Sequence, residues 1–257
     1  MQSITSVHHI GDSFFELSST DSTNNHALKL IQENLAADGH TFFAHEQLSG
    51  KGQHGKQWKS EKSLNIIQST VLDISFLPAT KQFSLIATMA VAVHDFFSKY
   101  ALHDSYIKWP NDIYWNERKA GGILIESSTP IPQSSIKAWK WAVVGIGLNI
   151  NQVKFPDNLP NPVSLKQITG KDYDPVILSK ELCERMDYWF QRLKKGDFDT
   201  ILGIYNQYLY KKDCIVKLRK GNIAFDCTVL KVDEQGFLHV SGANTDKFSF
   251  GEVNWVI

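Results

Sequence analysis

The stretch from Gly50 to Trp58, GKGQHGKQW, gathers three glycines, two lysines, a histidine and a tryptophan into nine residues. Glycines let backbone N–H groups close on an anion, Lys51 and Lys56 neutralise phosphate, and Trp58 offers a face on which a base can stack. The run from Gly50 to Gly55 and Lys56 nearly spells a P-loop, but Gln57 stands where that loop carries the hydroxyl that binds magnesium. A P-loop also feeds a helix whose N-terminus faces the phosphate, and the residues that follow here, SLNIIQST, are β-like. The loop alone leaves two readings open, an anion-binding loop and a solvated surface turn. The turn accounts for the glycines and lysines but poorly for Trp58, because a large aromatic ring needs a partner surface.

A second constellation runs from Ile107 to Ser127, IKWPNDIYWNERKAGGILIES. Pro110 ends a strand, Asn111 and Asp112 sit in the turn beyond it, and Lys119 precedes Gly121 and Gly122 on entry to an apolar strand. Further on, VVGIGLNIN, Val143 to Asn151, is a strand whose two glycines let something pack on bare backbone. It has no third glycine and no helix behind it, so it is not a dinucleotide-binding fingerprint.

With DSTN (Asp21 to Asn24), these blocks resemble the biotin protein ligases. That family carries a D-S-T-N stretch, a G-R-G-R-x-G-R-x-W loop, a K-W-P-N-D turn followed by K-x-x-G-I-L, and a G-x-G-x-N strand. All four occur here in that order, over about residues 20–151. The resemblance implies a two-step reaction: ATP-dependent activation of biotin to biotinyl-5′-AMP, then transfer of biotin to a lysine of a biotin carboxyl carrier domain of a carboxylase. Biotin, ATP and Mg2+ are the small molecules it implies. Lys119 would bridge the biotin carboxylate and the α-phosphate, with Asp112 and Lys51 as further catalytic groups. Ser22, Thr23, Asn24 and Gln47 would hold the ureido head, although Ser22 and Thr23 also suit helix capping. Gly121 and Gly122 would let the biotin chain lie on the backbone, and Lys51, Gly52 and Gln53 would close over the adenylate.

For ATP the implied residues are Lys51, Lys56, Trp58, Lys108, Asn111, Lys119 and Asn149. Trp58 would pack on adenine, or else belong to the core. Lys108 is a phosphate partner or an exposed strand residue. Asp112 would orient the incoming amine, help hold magnesium, or make an Asx turn. The chain departs from the family loop at Lys51, Gln53, His54 and Lys56, where arginines are common. Lysine cannot grip phosphate bidentately, so faster leakage of the adenylate is expected.

These residues need a scaffold. A helix is expected over 20–38, with Gly39 as its stop, then a strand TFFAHEQ, the loop, and a strand SLNIIQSTVLDIS. After Pro78 comes a long helix, then strands SYIKW, AGGILIES and KWAVVGIGLNIN. Asp174 caps a helix with Pro175 in its first turn, running to about Lys195, and a last helix covers roughly 197–209. Beyond Lys211, short β runs alternate with Gly, Asn and Asp turns. The expectation is an α+β fold with a mixed sheet and flanking helices. It divides into a catalytic domain, residues 1–210, and a small β domain, residues 211–257. By resemblance these are SH2-like and an SH3-like β-barrel.

Bulk properties narrow the function. The chain has 257 residues, 27 basic and 27 acidic, so nothing holds it to nucleic acid or membrane by net charge. Three cysteines form no C-x-x-C and suit reduced thiols in a cytoplasmic protein. Nothing in the sequence suggests export and no membrane span is expected, and nine histidines lack metal-ligand spacing. The first twenty residues cannot form a helix-turn-helix, and ITSVHHI is β-like, so the expected ligase is the type lacking an N-terminal DNA-binding domain. The R-R-x-x-G-G-G stretch of lipoate ligases is missing, while K-W-P-N-D is present. Family members often pair through sheet edges, which leaves a homodimer open.

Overall fold

The computed structural model describes residues 9–101, 103–128, 140–159 and 161–256. In chain order its elements begin with β1 (Phe14–Leu17), α1 (Thr23–Gln32), β2 (Thr41–Ala44) and β3 (Ile66–Asp73). Next come α2 (Gln82–Ala101), β4 (Ser105–Lys108), β5 (Asp112–Trp115), β6 (Arg118–Ser127) and β7 (Trp141–Leu148). Three helices follow, α3 (Leu165–Thr169), α4 (Pro175–Lys194) and α5 (Phe198–Gln207). The chain ends in β8 (Ile215–Lys220), β9 (Ile223–Val232), β10 (Leu238–Ser241), β11 (Lys247–Phe248) and β12 (Asn254–Trp255).

Seven strands form the main sheet in the order β1-β2-β3-β7-β6-β5-β4. The β1–β2 pair is parallel and the others are antiparallel, so the sheet is mixed. β3 and β7 lie near its centre, which explains why every residue of β3 but Asp73 is buried and why β7 is apolar on consecutive positions. Neighbouring residues of β3 point to opposite faces. Val71 joins Ala27 of α1 and Phe42 in a small cluster, while Leu72 joins the large core under α2 and α4. α2 is buried around most of its circumference because α4, α5 and the sheet all pack on it.

The second sheet has the order β11-β10-β9-β8-β12. Its inward residues Leu218, Val229, Leu238 and Phe248 belong to the same buried cluster as α2 and α4. Among the described residues no helix is long and apolar enough to cross a membrane.

Several local expectations need correction. The first helix covers Thr23–Gln32 rather than 20–38, because Asn34 adopts φ +57° and the chain leaves the helix before Gly39. Asp112 opens β5 rather than sitting in the turn. β1, of 4 residues, and α3, of 5, are too short to show a period in the sequence. The β reading of ITSVHHI falls on residues 4–10, of which 4–8 lie outside the described residues. The glycine loop runs into a strand, Ile66–Asp73, and no helix N-terminus stands behind it.

Candidate active site

A cavity of about 720 Å³ opens between the glycine loop, the edges of β3, β6 and β7, and the end of the second sheet. That is the size of a site for one or two small molecules.

One end is neutral and rich in hydrogen-bonding groups. Ser22 holds the N-cap position of α1, yet its side chain makes no capping bond and is only 1% exposed. Capping therefore does not explain this serine. Thr23 donates from its N–H (2.8 Å) and its hydroxyl (3.1 Å) to Oε1 of Gln47, which the extended chain after β2 brings alongside. The Ser69 hydroxyl lies 2.7 Å from Thr23 Oγ1 and 2.5 Å from Asn24 Oδ1. Asn24 in turn donates to Glu126 at 2.7 Å. Neither Ser69 nor Glu126 stands out in the sequence. Their places on β3 and β6, facing the start of α1, are set by strand pairing and not by any local pattern.

The other end is cationic. Lys51, Lys56, Lys59, Lys108 and Lys119 line the cavity against one lining carboxylate among the described residues, Asp112. Lys119 Nζ sits 2.7 Å from Asp112 Oδ1. Beneath that pair is Gly122, where a Cβ would lie 3.0 Å from Asp112 Oδ1 and 3.4 Å from Lys119 Nζ. Gly121 does not line the cavity; a Cβ there would stand 2.2 Å from Leu148 Cδ2, so its smallness serves sheet packing. Lys51 reaches Glu126 Oε1 at 3.6 Å. Lys108 is 7% exposed, so it is not the exposed strand residue the sequence left open. Burial pulls its pKa down to about 8, opposed by Asp112 and reinforced by Lys119 and Lys56.

Between the two ends lies β7, whose two glycines have separate tasks. A Cβ on Gly145 would meet Asn24 Oδ1 at 2.2 Å, and one on Gly147 would meet Trp58 Cε2 at 2.5 Å. The indole therefore lies on the bare backbone of Gly147 at the cavity wall rather than in the core. Asn149 gives its amide N–H to the carbonyls of Val163 (3.1 Å) and Lys119 (3.4 Å). Asn111 donates to the carbonyl of Ile123, which fixes the turn after the cis Trp109–Pro110 peptide. Gly52 and Gln53 line the cavity from the loop, which closes through a Lys51–Gln57 bridge and a Gly52 N–H to Lys56 O bond of 2.7 Å.

Sequence reasoning missed one wall. Phe250, Val253 and Trp255 of the C-terminal sheet line the cavity, as do Phe155 and Leu159. They are far from the loop in sequence, and no local signal marks them.

Among the described residues no group of three or more His, Cys, Asp or Glu could hold a metal ion. Magnesium is commonly bound through one or two carboxylates plus substrate phosphates and water. Asp112 fits only that shared arrangement, in which the cation arrives with a nucleotide.

The fold matches a biotin protein ligase from Aquifex aeolicus in complex with biotin and ATP, with a TM-score of 0.79 and 23% identity over 95% of this chain and 98% of that one. It also matches a Leishmania major biotin protein ligase in complex with biotinyl-5-AMP, with a TM-score of 0.60 and 20% identity over 93% of this chain and 99% of that one. Residues 16–149 match the model of the biotin/lipoate A/B protein ligase family, and this chain belongs to that family. A biotin--[acetyl-CoA-carboxylase] ligase from Paracoccus denitrificans is 31% identical over 72% of this chain and 76% of its own length. The bifunctional ligase/repressor BirA of Bacillus subtilis (strain 168) is 30% identical over 86% of this chain but 66% of its own length. The chain thus spans just under two thirds of that Bacillus relative.

Proposed function

We propose that the protein is a biotin protein ligase, which activates biotin with ATP and transfers it to a lysine of a carboxylase's carrier domain. The observation that carries this is the cavity's polarity: a neutral hydrogen-bonding end at Ser22, Thr23, Asn24 and Gln47, and a lysine-rich end centred on Lys119. Biotin has that same polarity, with a neutral ureido head and an acid tail. Ser22, Thr23 and Gln47 supply partners for the head, and an unmet buried polar group there costs about 1–3 kcal/mol. The chain of biotin then runs over Gly122, and its carboxylate arrives at Lys119.

In the first step a carboxylate oxygen attacks the α-phosphorus of ATP and pyrophosphate leaves. Both reactants are anions, so the step needs cations at the point of approach. Lys119 sits there, steered by Asp112, while Lys51 and Lys56 cover the phosphates from the loop. Mg2+ bound to the triphosphate would supply further charge neutralisation, with Asp112 as the protein's contribution to its shell. Trp58 packs on adenine, and Asn149 accepts from its amino group through Oδ1 while its N–H donors stay on the backbone. Asn111, Gly52 and Gln53 shape the enclosing wall. In the second step the carrier's neutral amine attacks the acyl carbon, the C–O bond to phosphate breaks, and AMP leaves while the nitrogen sheds a proton. Asp112 is placed to orient that amine.

On this reading residues 1–210 are an SH2-like catalytic domain and 211–257 an SH3-like β domain. Incubation with biotin, MgATP and an isolated carrier domain, followed by mass analysis of that domain, tests it. Gain of one biotin on a single lysine is expected. Gain of lipoate in place of biotin in a parallel incubation would overturn the substrate assignment, and no modification with either would overturn the reaction.

A further inference from the structure

Lys108 is more than nine-tenths buried, lines the cavity, and has no carboxylate within ion-pair distance among the described residues. Its cross-strand neighbour is Asp112, but that carboxylate is taken by Lys119 at 2.7 Å. What surrounds the ammonium instead is aromatic. Nζ lies 4.4 Å from the ring centroid of Tyr114, 5.3 Å from that of Trp255 and 5.9 Å from that of Tyr210, and donates to Tyr114 Oη at 2.9 Å. The rings brace one another. Tyr210 stands 5.1 Å from Tyr114 and 5.6 Å from Trp255, centroid to centroid.

The three rings come from three places: Tyr114 from β5, Tyr210 from the segment that enters the second sheet, and Trp255 from β12. Trp255 is fixed by pairing with Leu218 of β8. The indole N–H of Trp255 is itself buried without a partner, which is costly unless the residue is needed where it is. A cation held over ring faces is attracted to them but not neutralised, since a ring quadrupole supplies no net negative charge. Such a group is available to an anion in a way that an ion-paired lysine is not.

We propose that Trp255 and Tyr210 are positioning residues for ATP capture: they hold Lys108 at the cavity wall as an uncompensated cation that meets the triphosphate. The second sheet thereby serves the adenylation step itself, across the cavity from the glycine loop. This inference rests on the ATP-dependent ligase reading above.

The test is biotin-dependent ATP–pyrophosphate exchange by the full chain and four variants: Trp255→Leu, Trp255→Phe, Lys108→Gln, and Lys108→Gln with Trp255→Leu. Loss of a desolvated cation–π contact is expected to raise the KM for MgATP about tenfold in Trp255→Leu. The KM for biotin should stay unchanged. Trp255→Phe keeps a ring face and should restore most of the affinity. In the double variant the Trp255 change should add nothing to Lys108→Gln, since the group it positions is gone. Equal damage to both substrates in Trp255→Leu, or full additivity with Lys108→Gln, overturns the proposal. Should Trp255→Leu fail to fold, Tyr210→Leu must show the same split between the two KM values, and its absence overturns the proposal equally. A wild-type protein without exchange activity overturns the ligase reading and this inference with it. An active wild type whose Trp255→Leu variant behaves normally overturns this inference alone.

Discussion

Two glycines on one strand, two residues apart, should control different substrates. Gly147 carries Trp58 and Gly145 carries Asn24, and each glycine exists so that its partner can rest on backbone. A methyl group at Gly147 would stand 2.5 Å from Trp58 Cε2. An ordinary carbon–carbon contact needs roughly 3.5–4.0 Å, so the indole must retreat by about 1 Å or more. If adenine stacks on that ring, Gly147→Ala gives up part of a contact worth about 1–3 kcal/mol, by analogy with base stacking on aromatic side chains. The KM for ATP should then rise about five- to a hundredfold, with little change for biotin. At Gly145 the methyl would stand 2.2 Å from Asn24 Oδ1 and displace a side chain held by Ser69 and Glu126. Losing one buried hydrogen-bonding group costs about 1–3 kcal/mol, so the KM for biotin should rise by a similar factor and that for ATP should not. The assay is pyrophosphate exchange with each substrate varied in turn, alongside thermal melts that confirm folding. If Gly147→Ala leaves the ATP KM unchanged, or if both variants weaken both substrates alike, then Trp58 and Asn24 do not mark separate subsites and the reasoning fails.

Three further outcomes follow from the same geometry. Lys119→Ala should keep the fold, because the side chain pairs with Asp112 at the cavity wall and not within the core, and should lower adenylate formation about a hundredfold or more; near-normal pyrophosphate release would remove Lys119 from the mechanism. Lys108 has its pKa pulled down to about 8 in the free protein, so its charge is present below that pH and lost above it. The kcat/KM for ATP should therefore fall as pH rises through about 8, and Lys108→Gln should abolish that limb; a profile flat across this range contradicts the assignment. The loop offers phosphate the point charges of Lys51 and Lys56 with the uncharged Gln53 between them, and has no arginine. Biotinyl-AMP should leave faster than from an arginine-loop ligase, and equal or slower release in a side-by-side chase refutes this.

Residue type and order singled out the glycine loop, Lys119, the stretch from Lys108 to Asp112 and the glycines of β7, and the fold brings all of them to one cavity. Long, strongly patterned helices such as α2 and α4 were legible for the same reason, down to the Asp174 cap, which accepts from Val176 and Ile177. What stayed hidden depends on partners far away in the chain. Gly121 and Gly122 look alike in sequence, yet strand pleating turns one toward Leu148 and the other toward the cavity. Ser22 looks like a helix cap, but its hydroxyl makes no capping bond. Glu126 ends an apolar strand as an unremarkable acid, and only the fold brings it to both Asn24 and Lys51. Trp255 sits two residues from the chain's last position and still faces Lys108, which no periodicity could announce.

The central claim is that a carboxylate is joined to the α-phosphorus of ATP beside Lys119. Biotin prepared with heavy oxygen in its carboxylate tests this directly, with AMP recovered after complete transfer to a carrier domain and analysed by mass. The account predicts one heavy oxygen in each AMP, because the acyl C–O bond breaks in the second step and that oxygen leaves with phosphate. AMP free of heavy oxygen, with the carrier still biotinylated, would show that the carboxylate was never bonded to phosphorus and would contradict the account.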